Sequence, residues 1–314
     1  MTTQTPLVAI KCITYNQVPY IRQCLDGFIM QRTDFPFVAI VHDDCSTDGT
    51  DDIVREYAQR YPNIIKPIFE TENQYSKGDG SLSRIMTQAC NNTGAKYIAM
   101  CEGDDYWTDP LKLQKQVDFL ENHPECSCCV HEYKEWIENE KRFRPHQIKY
   151  LKDFNGKGLY FSCSDYSKGV FFTKTLTAVY RYSALIESNY EKYKTKFDMA
   201  LFFALSTQGK IYLMNETMGV YRMHDGGVTS DINRQKFYNY TIPKLFSICE
   251  AEKSKNSQRF VYMSIREYPI AFLLYKPHLA KQCLKSLGLY FNARFFIFDV
   301  IRIAFRILST TVHK

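Results

Sequence analysis

The first 125 residues alternate short apolar runs with segments of helical periodicity, and that alternation leaves the chain few folds to choose from. "LVAIKCITYN" at 7–16 is a run of β-formers, and "PYIRQCLDGFIMQ" after it sets Ile21, Cys24, Leu25, Phe28 and Ile29 at helical spacing behind Pro19. The succession recurs as "FVAIVHDD" then "TDDIVREYAQRY", "NIIKPIFE" then "SLSRIMTQACNNTG", and "KYIAMCEGDD" then "LKLQKQVDFLENHP". Each strand is apolar nearly throughout, as in a sheet covered on both faces. Four such units predict a parallel α/β sheet with right-handed crossovers, whose ligands bind beyond the carboxyl ends of the strands.

The polar residues at those ends are therefore the informative ones. They are Thr14, Tyr15 and Asn16, then Asp43 and Asp44, then Glu102, Gly103, Asp104 and Asp105. A single acidic loop of this kind serves equally well as a helix cap. In "CEGDDYWTDP", however, a buried strand ends in three acids within four positions, and one cap does not account for Glu102, Asp104 and Asp105 together. Carboxylate oxygens are the hard ligands that Mn²⁺ or Mg²⁺ require, and a metal held by few protein groups leaves coordination positions for a diphosphate.

After residue 126 the pattern changes. "ECSCCVHEYKEW" reads as a strand, "FTKTLTAVYRYSAL" leads from strand into helix, and "FDMALFFALSTQG" is a helix ended by Gly209. "KIYLMNETMGVYRMH" reads as two strands with a turn at Asn215 and Glu216, and from about 231 the chain is mainly helical. No repeat or low-complexity linker interrupts it. The expected organisation is one domain over 1–230, with a first half at 1–125 and a second at 126–230, followed by a helical tail at 231–314.

Charge and cysteine content exclude some partners. Forty basic against 34 acidic residues leave a formal charge of +6, a smaller excess than a nucleic-acid partner calls for. Eleven cysteines spread along the chain fit reduced, buried thiols rather than a disulfide framework. Cys126, Cys128 and Cys129 with His131 have metal-like spacing, but no second cluster completes a tetrahedral set, so they read as strand thiols. The start, "MTTQTPLVAIKC", has no basic segment followed by a long apolar core, which predicts a cytoplasmic protein.

Taken in order, "ITYN", "VHDDCSTDGT", "ENQYSKGDG", "CEGDDYW", "FDMALF" and "YRMH" resemble the family-two inverting glycosyltransferases of the GT-A fold over roughly residues 6–230. No one motif decides this; six in the right order do. The resemblance implies a Rossmann-like, mostly parallel nucleotide-diphospho-sugar transferase fold with a helical extension. It implies transfer of a hexosyl or N-acetylhexosaminyl unit from a nucleotide sugar, with UDP favoured, to a polysaccharide or lipid-linked oligosaccharide.

Carried over by position, the resemblance sets Asp44 against the base or ribose of the donor, with Asp43, Thr14, Tyr15 and Asn16 at the same pocket, while Ser46 to Asp48 start the next helix. Asp104 and Asp105 become the metal ligands, Asp104 also facing the sugar diphosphate, and Glu102 stands behind them where many relatives have Asp. Lys77 and Arg84 fall near the diphosphate, where basic groups neutralise phosphate. His224 completes the metal shell or touches the phosphates, and His42 packs beside the loop. Asp198, a lone acid opening an apolar helix, matches the family's base, which takes the acceptor proton as the anomeric carbon inverts. By its position alone it is a favourable charge at a helix start, worth about 0.3–1 kcal/mol.

Residues 289–308, "LYFNARFFIFDVIRIAFRIL", carry Arg294, Arg302 and Arg306 at multiples of four. Charges interrupt the run too often for a spanning helix, and the pattern suits either a basic amphipathic helix on an anionic membrane surface or one packed on protein. The first reading makes the protein peripheral on the inner face of the cell membrane. Two other classes fit parts of the sequence. A scaffold that binds nucleotide without transfer keeps the fold but needs no full acid set. A nucleotidyltransferase needs a Gly-rich, basic phosphate loop after the first strand, which "ITYNQVPYIRQ" lacks.

Overall fold

A computed structural model describes residues 4–145, 156, 158–168, 173–194, 196–226 and 245–265. They fall in two compact units. The first comprises Met1–Ser162, Phe172–Tyr190 and Lys196–Asp231, and the second Cys163–Phe171, Glu191–Thr195 and Ile232–Lys314.

The first unit opens with β1 (Val8–Thr14), α1 (Ile21–Ile29), β2 (Phe37–Asp43), α2 (Thr50–Arg60), β3 (Ile65–Phe69), α3 (Ser81–Asn92) and β4 (Tyr97–Met100). These four strands are parallel in the order β3-β2-β1-β4, with Ile10 opposite both Ala39 and Ala99. Val8, Ala9, Ile10 and Cys12 are fully buried, as are all four residues of β4 to within 6%. The near-continuous apolar runs of the sequence are thus covered on both faces. α1 covers one face through Ile21, Cys24, Leu25 and Phe28, the residues at its helical spacing.

Beyond β4 the sheet becomes mixed. It continues through β5 (Tyr106–Trp107), α4 (Lys112–Asn122), β6 (Cys126–Ile137), β7 (Arg142–Arg144), β8 (Gly158–Phe161), β9 (Val179–Arg181), α6 (Tyr182–Glu187), α7 (Asp198–Gln208) and β10 (Lys210–Met223); α5 (Cys163–Ser167) belongs to the second unit. β9 inserts antiparallel between β4 and β6, and β10 runs parallel to β6 while taking β5 and β8 antiparallel. α7 is buried on nearly every side, from Ala200 to Ser206, as expected of a helix without a polar face. Lys112 is fully buried at the start of α4. Its ammonium lies 4.2 Å from the Trp107 ring centroid and donates to Gln116 Oε1 at 2.7 Å, and burial pushes its pKa down to about 7.

One element differs from the sequence expectation. Asn215 and Glu216 do not make a turn between two strands; β10 is one strand that carries them as an exposed bulge, the register against β6 jumping between Met214 and Thr217. Pairing with β6 on both sides of the bulge keeps the strand continuous where local composition favours a turn. The cysteines at 126, 128 and 129 are free and buried along β6.

In the second unit, residues 245–252 form a helix, α8, followed by α9 (Lys255–Ile265). Phe260 stacks on Tyr166 of α5 with centroids 6.1 Å apart, and Lys194 N–H donates to Ser247 Oγ at 2.8 Å. Among the described residues no helix is long and apolar enough to cross a membrane. The segment 289–308 lies outside the described residues.

Candidate active site

The carboxyl ends of β1, β2 and β4 meet at one edge of the sheet, because all three strands run in the same direction. Asp44 N–H donates to the Thr14 carbonyl (3.0 Å), and Gly103 N–H to the Ile13 carbonyl (3.0 Å). A glycine is required at 103: a Cβ there would stand 2.4 Å from Gln17 Oε1 and 2.8 Å from Thr14 Cβ and Oγ1.

The first two loops are laced together. Asn16, held at φ +51°, donates its N–H to Ser46 Oγ (2.9 Å) and accepts Thr47 N–H on Oδ1 (2.8 Å). Gln17 N–H donates to Thr50 Oγ1 (2.8 Å) and Val18 N–H to Asp48 Oδ2 (3.0 Å). Tyr15 beside them stays 46% exposed, leaving a free aromatic face at the strand end.

Asp43 and Asp44 divide the work of the acidic pair. Asp43 accepts the N–H (3.0 Å) and hydroxyl (2.5 Å) of Ser46 and so shapes the turn into α2; burial pushes its pKa up against those two hydrogen bonds. Asp44, 1% exposed, accepts the N–H groups of Gln74 (2.8 Å) and Tyr75 (2.9 Å) on its two oxygens. It therefore anchors the 73–80 segment at the end of β2. His42 is buried beside this loop with Nε2 3.1 Å from Glu70 Oε1. In the anchored segment Lys77 is paired with Glu72, and Arg84 donates to the Asp79 carbonyl at 2.9 Å, so both cations predicted near a diphosphate have acceptors within their own segment.

The acid loop after β4 gathers the remaining candidates. Asp104 Oδ2 stands 3.1 Å from His224 Nε2, which follows the end of β10, and the His224 ring lies 4.7 Å from that of Tyr20. Asp105 is not part of this pair. It is 2% exposed and its Oδ1 accepts the N–H of Arg222 (2.8 Å); burial, then the charge of Asp104, hold its pKa well above the carboxylate range. Glu102 accepts the Thr175 hydroxyl, and its pKa is pushed up to about 7, first by burial and then by the charges of Asp104 and Asp198. Asp198 opens α7, exposed, with its charge felt at Glu102.

Among the described residues no three His, Cys, Asp or Glu side chains group to hold a metal ion. The Asp104–His224 pair nevertheless fits one. Two neighbouring ligands of an octahedral ion with bonds of about 2.1 Å lie about 3 Å apart, and a two-residue set leaves positions for phosphate oxygens. Three participants escaped the sequence reading: Arg222, Thr175 and Glu138, which accepts from Arg222 at 2.7 Å. An arginine inside the otherwise apolar strand "GVYRM" was the one signal available for any of them.

A parallel β3-β2-β1-β4 half with acids at its strand ends, extended by a mixed second half that returns a histidine to the acid loop, defines a GT-A-type α/β protein. The chain belongs to glycosyl transferase family 2, whose family profile matches residues 11–183. An uncharacterized protein of Mycobacterium tuberculosis is 35% identical over 239 residues, 74% of this chain; the chain spans 63% of that relative's length. The fold is also that of TarS from S. aureus in complex with UDP-GlcNAc (TM-score 0.62, 20% identity, 90% of this chain and 79% of that one). It is shared by the mannosyltransferase PcManGT from Pyrobaculum calidifontis in complex with GDP-Man and Mn²⁺ (TM-score 0.57, 16% identity, 91% and 76%).

Proposed function

We propose that this chain is a metal-dependent inverting glycosyltransferase that moves one sugar from a nucleotide sugar, UDP favoured, to a polysaccharide or lipid-linked oligosaccharide. The observation that carries the reading is the meeting of Asp104 with His224 at the strand ends, with Asp198 near enough for its charge to act on Glu102. Family membership supports it, as do fold relatives solved with UDP-GlcNAc and with GDP-Man and Mn²⁺. Residues 1–230 are the catalytic domain in this reading, 1–125 serving the donor and 126–230 the acceptor. The tail at 231–314 is assigned to attachment, on an inner membrane face or on protein.

In this reading Tyr15, Thr14, Asn16 and Asp43 shape the nucleoside pocket, and Asp44 holds the 73–80 segment against it. Lys77 and Arg84 exchange their acid and carbonyl partners for phosphate oxygens. Asp104 and His224 hold Mn²⁺ or Mg²⁺, which supplies positive charge to the departing diphosphate. Asp198 accepts the proton of the attacking acceptor hydroxyl. Glu102, its pKa pushed up to about 7 first by burial and then by the charges of Asp104 and Asp198, is about half protonated at pH 7 and adds only part of a third charge.

The test is thermal stabilisation by a panel of nucleoside diphosphates with and without Mn²⁺, on the wild type and on Asp104→Asn. One diphosphate should stabilise the wild type only with metal, and the variant should lose the effect. Sugar transfer by the wild type and its loss in Asp198→Asn, with diphosphate binding retained, separates a transferase from a nucleotide-binding scaffold. Absence of stabilisation by every diphosphate defeats the reading.

A further inference from the structure

The acid loop and His224 are brought together through Arg222, which is 8% exposed. Its backbone N–H donates to Asp105 Oδ1 (2.8 Å) and its Nε to the carbonyl of Asp104 (2.8 Å). One terminal guanidinium nitrogen donates to Glu138 Oε2 (2.7 Å) and the other to Gln23 Oε1 (2.6 Å). The Tyr20 and Tyr106 ring centroids lie 4.7 and 5.3 Å from its Cζ. The side chain thus ties together α1, the exit of β6 and the Asp104 carbonyl of the acid loop, while the backbone of the same residue holds Asp105.

A planar fork of donors can serve several acceptors at fixed angles, which a lysine ammonium on a flexible stem cannot. The charge is met by Glu138, itself held by Trp136 Nε1 at 2.8 Å. The guanidinium accordingly contributes geometry at the acid loop without leaving an unpaired positive charge to oppose a cation there. Two residues further along, His224 reaches Asp104. The carbonyl of Asp104 and the carboxylate of Asp105 are therefore both fixed to residue 222, two positions before His224.

We propose that Arg222 is a positioning residue that sets the separation of Asp104 and His224, and through it the affinity of the site for a divalent cation. The cation part of this inference rests on the proposed function; the positioning part does not. A merely structural ion pair with Glu138 would change overall stability and leave the acid loop no more affected than the rest of the sheet.

The experiment uses Arg222→Gln and Arg222→Lys in the full chain, with Arg22→Ala, which removes an exposed ion pair to Glu56, as control. Mn²⁺ is titrated at fixed UDP and followed by thermal shift. Amide hydrogen exchange is followed for residues 101–106 and, as an internal reference, for 8–13. Loss of a supporting partner typically weakens metal binding 10- to 100-fold. The half-saturating Mn²⁺ concentration should rise by about 10-fold or more in Arg222→Gln and by a smaller factor in Arg222→Lys. Exchange at 101–106 should quicken while 8–13 stays protected. If Arg222→Gln fails to fold, Glu138→Gln, which releases the guanidinium from one side, should shift both readouts the same way. Folded variants with unchanged acid-loop exchange overturn the proposal. A wild type indifferent to Mn²⁺ and UDP defeats the transferase reading instead, and the exchange data still decide the positioning role.

Discussion

His224 Nε2 and Asp104 Oδ2 stand 3.1 Å apart although 120 residues separate them along the chain. If the pair is a cation site, removing either half removes a ligand. His224→Ala and Asp104→Asn should each raise the Mn²⁺ concentration needed for UDP-induced stabilisation by at least about 10- to 100-fold. Thermal melts across a Mn²⁺ series check this, and equal half-saturation in wild type and variants counts against it.

Asp44 predicts a stability effect independent of any ligand. Its two oxygens satisfy the amides of Gln74 and Tyr75 from a buried position. Asp44→Ala leaves both donors without their charged acceptor, a loss of about 3 kcal/mol, while Asp44→Asn keeps one acceptor and loses about half as much. Urea midpoints measure both, and exchange at residues 73–80 should rise in each.

At Gly103 the obstacle is space. An added Cβ runs into Thr14 and Gln17, so Gly103→Ala should cost about 1–3 kcal/mol by overpacking. The strain is relieved by moving the acid loop away from β1. UDP affinity in the presence of Mn²⁺ should therefore fall in a variant that still folds, and a variant with wild-type affinity and stability would show that the contact yields freely.

Lys112 sets a pH dependence. Its folded pKa of about 7 lies below the usual lysine value of 10.5, so between those limits the unfolded chain binds more protons and wild-type stability rises with pH. Below pH 7 the burial cost is constant. The stability of Lys112→Met relative to wild type should therefore be greatest below about pH 7 and decline by up to about 1.4 kcal/mol per pH unit towards pH 10. Denaturant midpoints at about pH 6 and pH 9.5 give the sign directly, whatever the loss of the Gln116 hydrogen bond adds to both.

The first half of the fold was legible because each βα unit signals itself locally, an apolar run followed by helical spacing, and parallel order then follows from connection rules. The candidate residues at strand ends were legible for the same reason: position in the fold follows from position in the unit. What Asp44 and Glu102 bind was not, since their partners are backbone amides and a threonine hydroxyl distant in sequence, which carry no compositional mark. Asn215 and Glu216 misled because turn propensity is local whereas the pairing of β10 with β6 is not. Arg222 carried one mark, a charge inside an apolar strand, and its acceptors lie far away in sequence.

The antiparallel strand β9 has a consequence for how the chain comes into being. β4 ends at Met100, but the strand that covers its outer edge begins only at Val179. On a ribosome adding about 5–20 residues per second, the intervening residues take roughly 4–16 s to appear. Throughout that interval the apolar "YIAM" segment presents unpaired amides and carbonyls to whatever is nearby. The nascent protein is thus most vulnerable in mid-synthesis, with its four parallel strands assembled and one flank open. A gene truncated near residue 125 would make that passing state permanent, yielding a polypeptide that seeks its missing strand in its neighbours.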